Sequence, residues 1–179
     1  VKNCALMLMV LIVILSGCSG GGSAKLSRES IGIKRVDEGG QVTYGMSRSD
    51  AENVLGTGEK KAFGFEYSDG VSIQYRDDKV VAVVLSEESD GIYQTIDGIK
   101  VGMLEDEIKK RYGKKYVNDS KTGSLDYHYD TNKGQFLTRE DIKNSGDSEN
   151  VFVLSVTFDD NGYAKRIMLL DQRAAKYGD

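Results

Sequence analysis

Few residues in this chain have types and spacings that could do chemistry. The one histidine, His128, alternates with Asp126 and Asp130 in Leu125-Asp126-Tyr127-His128-Tyr129-Asp130, and a period of two puts the imidazole and both carboxylates on one strand face. Such a trio can move a proton or contribute to a metal site. A solvated polar strand face explains the same pattern with fewer demands, and one histidine with no cysteine beside it makes a poor zinc set. Asn118 to Tyr129 places oxygen-bearing residues and Gly123 at the spacings of a calcium loop, but Tyr129 stands where a bidentate glutamate is required. Asp159-Asp160-Asn161-Gly162 is a hairpin turn before it is a ligand set. No metal or other cofactor is expected.

Nucleophile motifs fare no better. Lys121-Thr122-Gly123 matches one element of the penicillin-recognising serine enzymes, whose Ser-x-x-Lys partner motif occurs nowhere in the chain. Gly17-Cys18-Ser19-Gly20-Gly21 satisfies Gly-x-Ser-x-Gly, a pattern that needs a strand before it and a helix after it. Here it follows an apolar run and opens a glycine-rich stretch. The chain reads as a non-enzyme.

That apolar run is the most specific signal present. Lys2 precedes Ala5 to Leu15, which is shorter than the roughly 20 residues a spanning helix needs, and Leu15-Ser16-Gly17-Cys18 follows. The four residues resemble the lipobox of bacterial lipoproteins. The resemblance implies cleavage before Cys18, acylation of its thiol and new amino group, and tethering of an exported protein to a membrane surface of the bacterial envelope. Residues 1–17 are then a leader and 18–30 a lipidated cysteine with a flexible tether, Ser19-Gly20-Gly21-Gly22-Ser23 at its start. Cys4 leaves with the leader and Cys18 carries lipid, so no thiol remains for a disulfide or redox couple.

The chain has 179 residues, 39% hydrophobic and 29% charged, enough for a real core. With 24 basic against 28 acidic residues it has no positive surplus for tracking phosphates, which argues against a nucleic-acid partner.

The elements that must position any site come as a repeat. Gly45-Met46-Ser47-Arg48-Ser49-Asp50-Ala51-Glu52-Asn53-Val54-Leu55-Gly56 and Gly102-Met103-Leu104-Glu105-Asp106-Glu107-Ile108-Lys109-Lys110-Arg111-Tyr112-Gly113 share a frame and a length. Ser47, Ala51 and Leu55, and Leu104, Ile108 and Tyr112, each fall one turn apart on a short amphipathic helix. Ser47 and Asp50 suit a capping box, and Gly56 and Gly113 suit a left-handed helix stop. After the first helix, Phe63, Phe65 and Tyr67 alternate with smaller or polar residues, Asp69-Gly70 turns the chain, and Val71, Ile73 and Tyr75 return. Val80 to Leu85, an unbroken apolar run, reads as a central strand. Ile92 to Val101 adds a strand or an extended link. The second copy repeats the order through Leu125 to Tyr129, a polar insertion at 131–150 with a helical turn near 138–143, Val151 to Phe158 and Tyr163 to Leu170. Gln172 to Asp179 is a short helical tail.

The first helix motif resembles that of the SmpA/OmlA (BamE-like) outer-membrane assembly lipoproteins, and two copies in tandem look like the β-lactamase inhibitor protein. The resemblance implies an α+β fold of two tandem helix-plus-three-stranded antiparallel sheet repeats, at 31–91 and 92–179. It implies no catalytic residue.

The expected function is therefore a non-catalytic, lipid-anchored protein-binding module of the cell envelope, an inhibitor or assembly factor. The alternative is a binder of small ligands or cell-wall fragments, or a carboxylate-dependent hydrolase. The aromatic rows either fill the core under the helices or, where the helices leave them bare, present Tyr67, Tyr75, Tyr127 and Tyr129 as anchors for a partner.

Overall fold

The computed structural model describes residues 26–37, 39–119, 121, 123–145 and 148–177. The expected leader, Cys18, and the tether up to residue 25 lie outside them. Within them, each Gly-Met pair is a backbone clasp. Gly45 N donates to Val80 O at 2.8 Å and Val80 N returns a bond to Met46 O at 2.9 Å; Gly102 N donates to Ala164 O at 2.7 Å and Ala164 N to Met103 O at 2.9 Å. Both glycines turn with φ near +80°, at 80° and 77°, where a side chain is strained by about 1–2 kcal/mol. The clasp hands each chain directly into a helix, α1 (Arg48–Leu55) or α2 (Glu105–Tyr112).

The helix ends differ in chemistry. Ser47 Oγ accepts from Asp50 N at 3.1 Å, whereas Leu104 has no hydroxyl and its backbone N donates instead to Glu107 Oε2, also at 3.1 Å. Gly56 and Gly113 combine φ of 84° and 82° with ψ of −170° and −160°. That is a glycine-only extended conformation and not the left-handed helical stop expected.

The fold expectation of two tandem helix-plus-three-stranded repeats is wrong. The protein is mostly β, with eleven strands in two antiparallel sheets among the described residues. β1 (Gly32–Arg35), β2 (Gln41–Thr43) and β7 (Tyr93–Thr95) form a three-stranded sheet in the order β2-β1-β7. The other eight are β3 (Glu59–Lys61), β4 (Gly64–Glu66), β5 (Val71–Arg76), β6 (Lys79–Leu85), β8 (Leu125–Asp130), β9 (Gln135–Phe136), β10 (Val151–Phe158) and β11 (Ala164–Asp171). They make one sheet in the order β3-β4-β5-β6-β11-β10-β8-β9.

The physical reason lies in β6. It pairs with β5 along one edge and with β11 along the other, Leu85 opposite Ile167 through Ala82 opposite Leu170, so the strands of both halves merge. Its continuous apolar run reports that central place. β3 was missed because Glu59, Lys60 and Lys61 are all exposed and show no alternation, and β9 because it is two residues long inside a polar insertion. β7 pairs with β1 across the whole first half of the chain, Ile33 opposite Thr95.

One face of the large sheet holds the core. Ile33 and Val42 of the small sheet, Ala51 and Leu55 of α1, and Ile108 and Tyr112 of α2 share one buried cluster with Ile73, Leu85, Leu125, Tyr127, Phe152 and Leu154. Tyr112 and Tyr127 meet at 5.3 Å between ring centroids, and Phe136 packs on each at 5.8 and 5.6 Å. Two further helices, α3 (Arg139–Asn144) and α4 (Gln172–Tyr177), complete the described chain. Buried Ala174 of α4 joins Val81, Ala82, Val153 and Leu170 in a second, smaller cluster.

Asp171 anchors that helix and is fully buried, at 0% exposure. Its Oδ1 accepts from Ala174 N at 2.7 Å, and its Oδ2 from the Tyr44 hydroxyl at 2.6 Å and Arg76 Nη2 at 2.5 Å. Replacing Asp171 with alanine leaves the Arg76 guanidinium, itself only 12% exposed, with the half-exposed Glu149 as its remaining carboxylate and uncaps α4. Urea unfolding is expected to show a loss of about 3–5 kcal/mol, and a loss below 1 kcal/mol would mean the cluster is solvated in solution. Replacing Asp171 and Arg76 together by leucine should cost less than the single change, since no charge is then left unpaired.

Candidate binding surface

The sequence-expected anchors are not on a surface. Tyr67, Tyr127 and Tyr129 are buried, and Tyr75 is half-buried. Tyr127 donates its hydroxyl to Gly113 O at 2.8 Å, while Tyr67 and Tyr75 share a hydroxyl–hydroxyl contact of 2.6 Å. Burial pushes all four phenols above their ordinary pKa. They belong to the core because α1, α2 and the small sheet cover the aromatic face. Phe63, expected in the same row, is instead 78% exposed. It sits in the turn between β3 and β4, where Lys61 pairs with Gly64, so it leaves the strand alternation before it can point inward.

The opposite face of the large sheet carries a row of exposed and half-buried residues. Glu66 lies opposite Ser72, Ser72 opposite Val84, Val84 opposite Met168, Met168 opposite Ser155 and Ser155 opposite Asp126. These six form an unbroken row across six strands, about 24 Å wide at ~4.8 Å per strand. The neighbouring row, Ala82, Leu170 and Val153, is buried beside α4. Between α4 and Phe63 the first row floors a groove of about 350 Å³, lined among others by Phe63, Gln74, Val84, Met168, Leu170 and Ala174. Arg166, opposite Thr157, stands at one side of it. The sequence signal for this face was the polar half of each alternating strand, which a search for aromatic anchors passes over.

His128 lies in the row covered by the second cluster, opposite Val153. The face it shares with Asp126 and Asp130 is present, but the three are not a working unit. Asp126 is held by Ser155 Oγ at 2.6 Å and Asn118 Nδ2 at 2.6 Å, and Asp130 accepts from Asn132 N and Lys133 N at 2.9 and 3.0 Å. His128 Nδ1 is buried with no hydrogen-bond partner. Among the described residues no group of three or more His, Cys, Asp or Glu side chains is placed to hold a metal ion.

Other carboxylates are equally committed. Asp97 accepts from the Tyr112 hydroxyl and from Thr95 Oγ1, raising the Tyr112 pKa further above the effect of its burial. Asp171 is occupied as described above, and with desolvation it pushes Tyr44 up to about 12. Paired free carboxylates of the kind a hydrolase uses do not occur in the groove, where Glu66 is the acid lining it.

No family profile matches the chain. No curated protein and no solved structure matches it either. Among the described residues no helix is long and apolar enough to cross a membrane.

Burial lowers the His128 pKa below its ordinary value, with Asp126 opposing. The folded state thus binds a proton less readily than the unfolded chain, so stability falls as pH drops through about 6.5 toward the folded value. His128→Leu removes both this proton linkage and the orphaned nitrogen. Unfolding midpoints measured between about pH 7.5 and 5.5, above the ordinary carboxylate range, should decline for the parent protein and stay nearly level for the variant. Parallel declines would show that His128 is hydrated and not desolvated.

Proposed function

We propose that this chain is a non-catalytic binding protein, held by lipid on Cys18 at a membrane surface of the bacterial envelope, that grips another protein with the open face of its large sheet. The observation that carries this is Phe63 standing exposed beside the exposed and half-buried row from Glu66 to Met168. A large aromatic ring held out at 78% exposure next to an apolar floor is what interface anchors look like before a partner covers them. The lipid anchor rests on Leu15-Ser16-Gly17-Cys18 and the short apolar run before it.

A small-ligand reading draws on the groove itself, since about 350 Å³ lies in the range that small molecules occupy. The groove argues less for it than for a protein partner, because its row runs on across the sheet well beyond any one pocket.

The two parts are tested separately. Cys18→Ala should move the protein from the membrane fraction to the soluble fraction; unchanged fractionation would sink the lipid anchor. For the binding face, the chain from Ser19 onward is used as bait in envelope extract beside a Phe63→Ser version. One stoichiometric protein should be caught by the first and lost by the second, with equal urea midpoints for the two baits. Capture indifferent to Phe63 would place the binding surface elsewhere, and thermal stabilisation by a small molecule in place of any capture would favour the ligand reading.

A further inference from the structure

The groove is electrically two-ended. Arg166 is exposed and, among the described residues, makes no hydrogen bond or ion pair; Glu66 is exposed, makes neither, and lies opposite Glu59 in the field of Lys61. Four other guanidiniums are spoken for, whereas Arg111, on α2, is exposed without a hydrogen bond or ion pair among the described residues. Arg35 is held by Asp37, Arg48 by Glu52, Arg76 by Asp171, and Arg173 by Glu149. Arg166 is the cation lining this groove, and Glu66 is the acid on the other side of the apolar floor.

The register fixes their spacing. Glu66 on β4 and Met168 on β11 are three strand steps apart in one row, about 14 Å, and Arg166 lies two residues further along β11 on the same side of the sheet as Met168. Val84 and Met168 lie between, both half-buried, with Phe63 overhanging the Glu66 end. Ser72, Ser86 and Thr157 flank the floor with hydroxyls and add no competing charge. Glu87, Glu88 and Lys165 line the Arg166 side as well, and Asp69 lies beyond; Glu88 is engaged by the Ser86 hydroxyl.

We propose that the occupant of this groove is a polypeptide segment of a partner protein that carries an acidic side chain at one end, apolar side chains in the middle and a basic side chain at the other. Its carboxylate pairs with Arg166, in the fork geometry that makes arginine–carboxylate contacts directional. Its apolar side chains cover Val84 and Met168 beneath Phe63, and its cation meets Glu66. The charges set the direction and register of the segment, while the apolar floor supplies most of the affinity. This inference rests on the open sheet face being the binding surface.

The test uses the full chain in detergent micelles, immobilised and panned with a displayed library of random dodecapeptides. Selected peptides should share an acidic residue, an apolar stretch and a basic residue in that order. Synthesised individually, they should lose roughly tenfold in affinity for Arg166→Glu protein and regain it when their acid is changed to lysine. The mirror change, Glu66→Lys, should weaken them and be rescued by an acid at the basic end. Both sites are exposed, and equal urea midpoints confirm that the variants fold. Peptides lost on Phe63→Ser but indifferent to Arg166→Glu would overturn the charge rule and leave the binding face standing. Peptides indifferent to all three variants, or no selected peptides at all, would overturn both.

Discussion

The structure depends most on one carboxylate taken out of water. Asp171 ends the strand that joins the two halves of the large sheet, and every partner it has comes from a different part of the chain. Tyr44 arrives from the segment between the small sheet and α1, Arg76 from the end of β5, and Ala174 N from the first turn of α4. Desolvating a carboxylate and a guanidinium costs several kcal/mol each, so a pair of this kind adds little net stability over an apolar packing. What it contributes is definition: a carboxylate with both oxygens occupied tolerates one arrangement of its three partners. Arg76 extends the cluster to Glu149 at 3.3 Å, and Glu149 to Arg173 at 3.4 Å. Tyr44 extends it the other way, with Phe152 edge-on at 4.8 Å and the Arg28 guanidinium over its ring at 4.9 Å. The entry of the described chain and the start of α4 are thereby fixed against each other.

The two clasps explain why the halves fuse. Each clasp docks a Gly-Met pair onto the start of a return strand, Val80 of β6 or Ala164 of β11, on the edge away from its hairpin partner, and the rest of that edge has no strand partner from its own half. Two such edges meet as β6 and β11. The outer edges are treated differently: β3 is three charged, exposed residues, and β9 is two residues long. Charged or very short edge strands discourage pairing with another chain. Strand addition is therefore disfavoured at both ends of the large sheet.

Much of this was legible in the residues and some was not, for reasons that are local. Hairpins were readable where a turn demands particular chemistry, as at Asp69-Gly70, with φ of 58° and 71°, and at Asp159 to Gly162. The Gly-Met frame was readable because its glycines are required by conformation. The sheet count was not, since the exposed charges of β3 carry no periodic signal and the fusion of β6 with β11 is a long-range pairing. Phe136 and Leu137, both buried, sat in an insertion whose remaining composition is polar, and two adjacent apolar residues were the only mark of the plug Phe136 makes against Tyr112, Tyr127 and Tyr129. The expected anchors turned out to be buried or half-buried for a related reason. Alternation sorts strand residues onto two faces without saying which face the helices cover, and aromatic content pointed to the covered one.

Why the other face stays open follows from lengths. α3 and α4 have six residues each, about 9 Å of helix at 1.5 Å per residue, which spans roughly two strands. They are tied to each other through Ser145 and Gln172, whose side chains meet at 3.2 Å, and α4 is tied to Asp171. Held there, α4 protects the row at Val153 and Leu170, has Met168 packed at its margin, and leaves Phe63 exposed across the groove. Moving the helices across to cover the row from Glu66 to Met168 would detach the α4 cap from Asp171 and unseal His128 and Val153. The cluster that makes the fold single-valued is thus also what keeps the apolar floor between Glu66 and Arg166 uncovered.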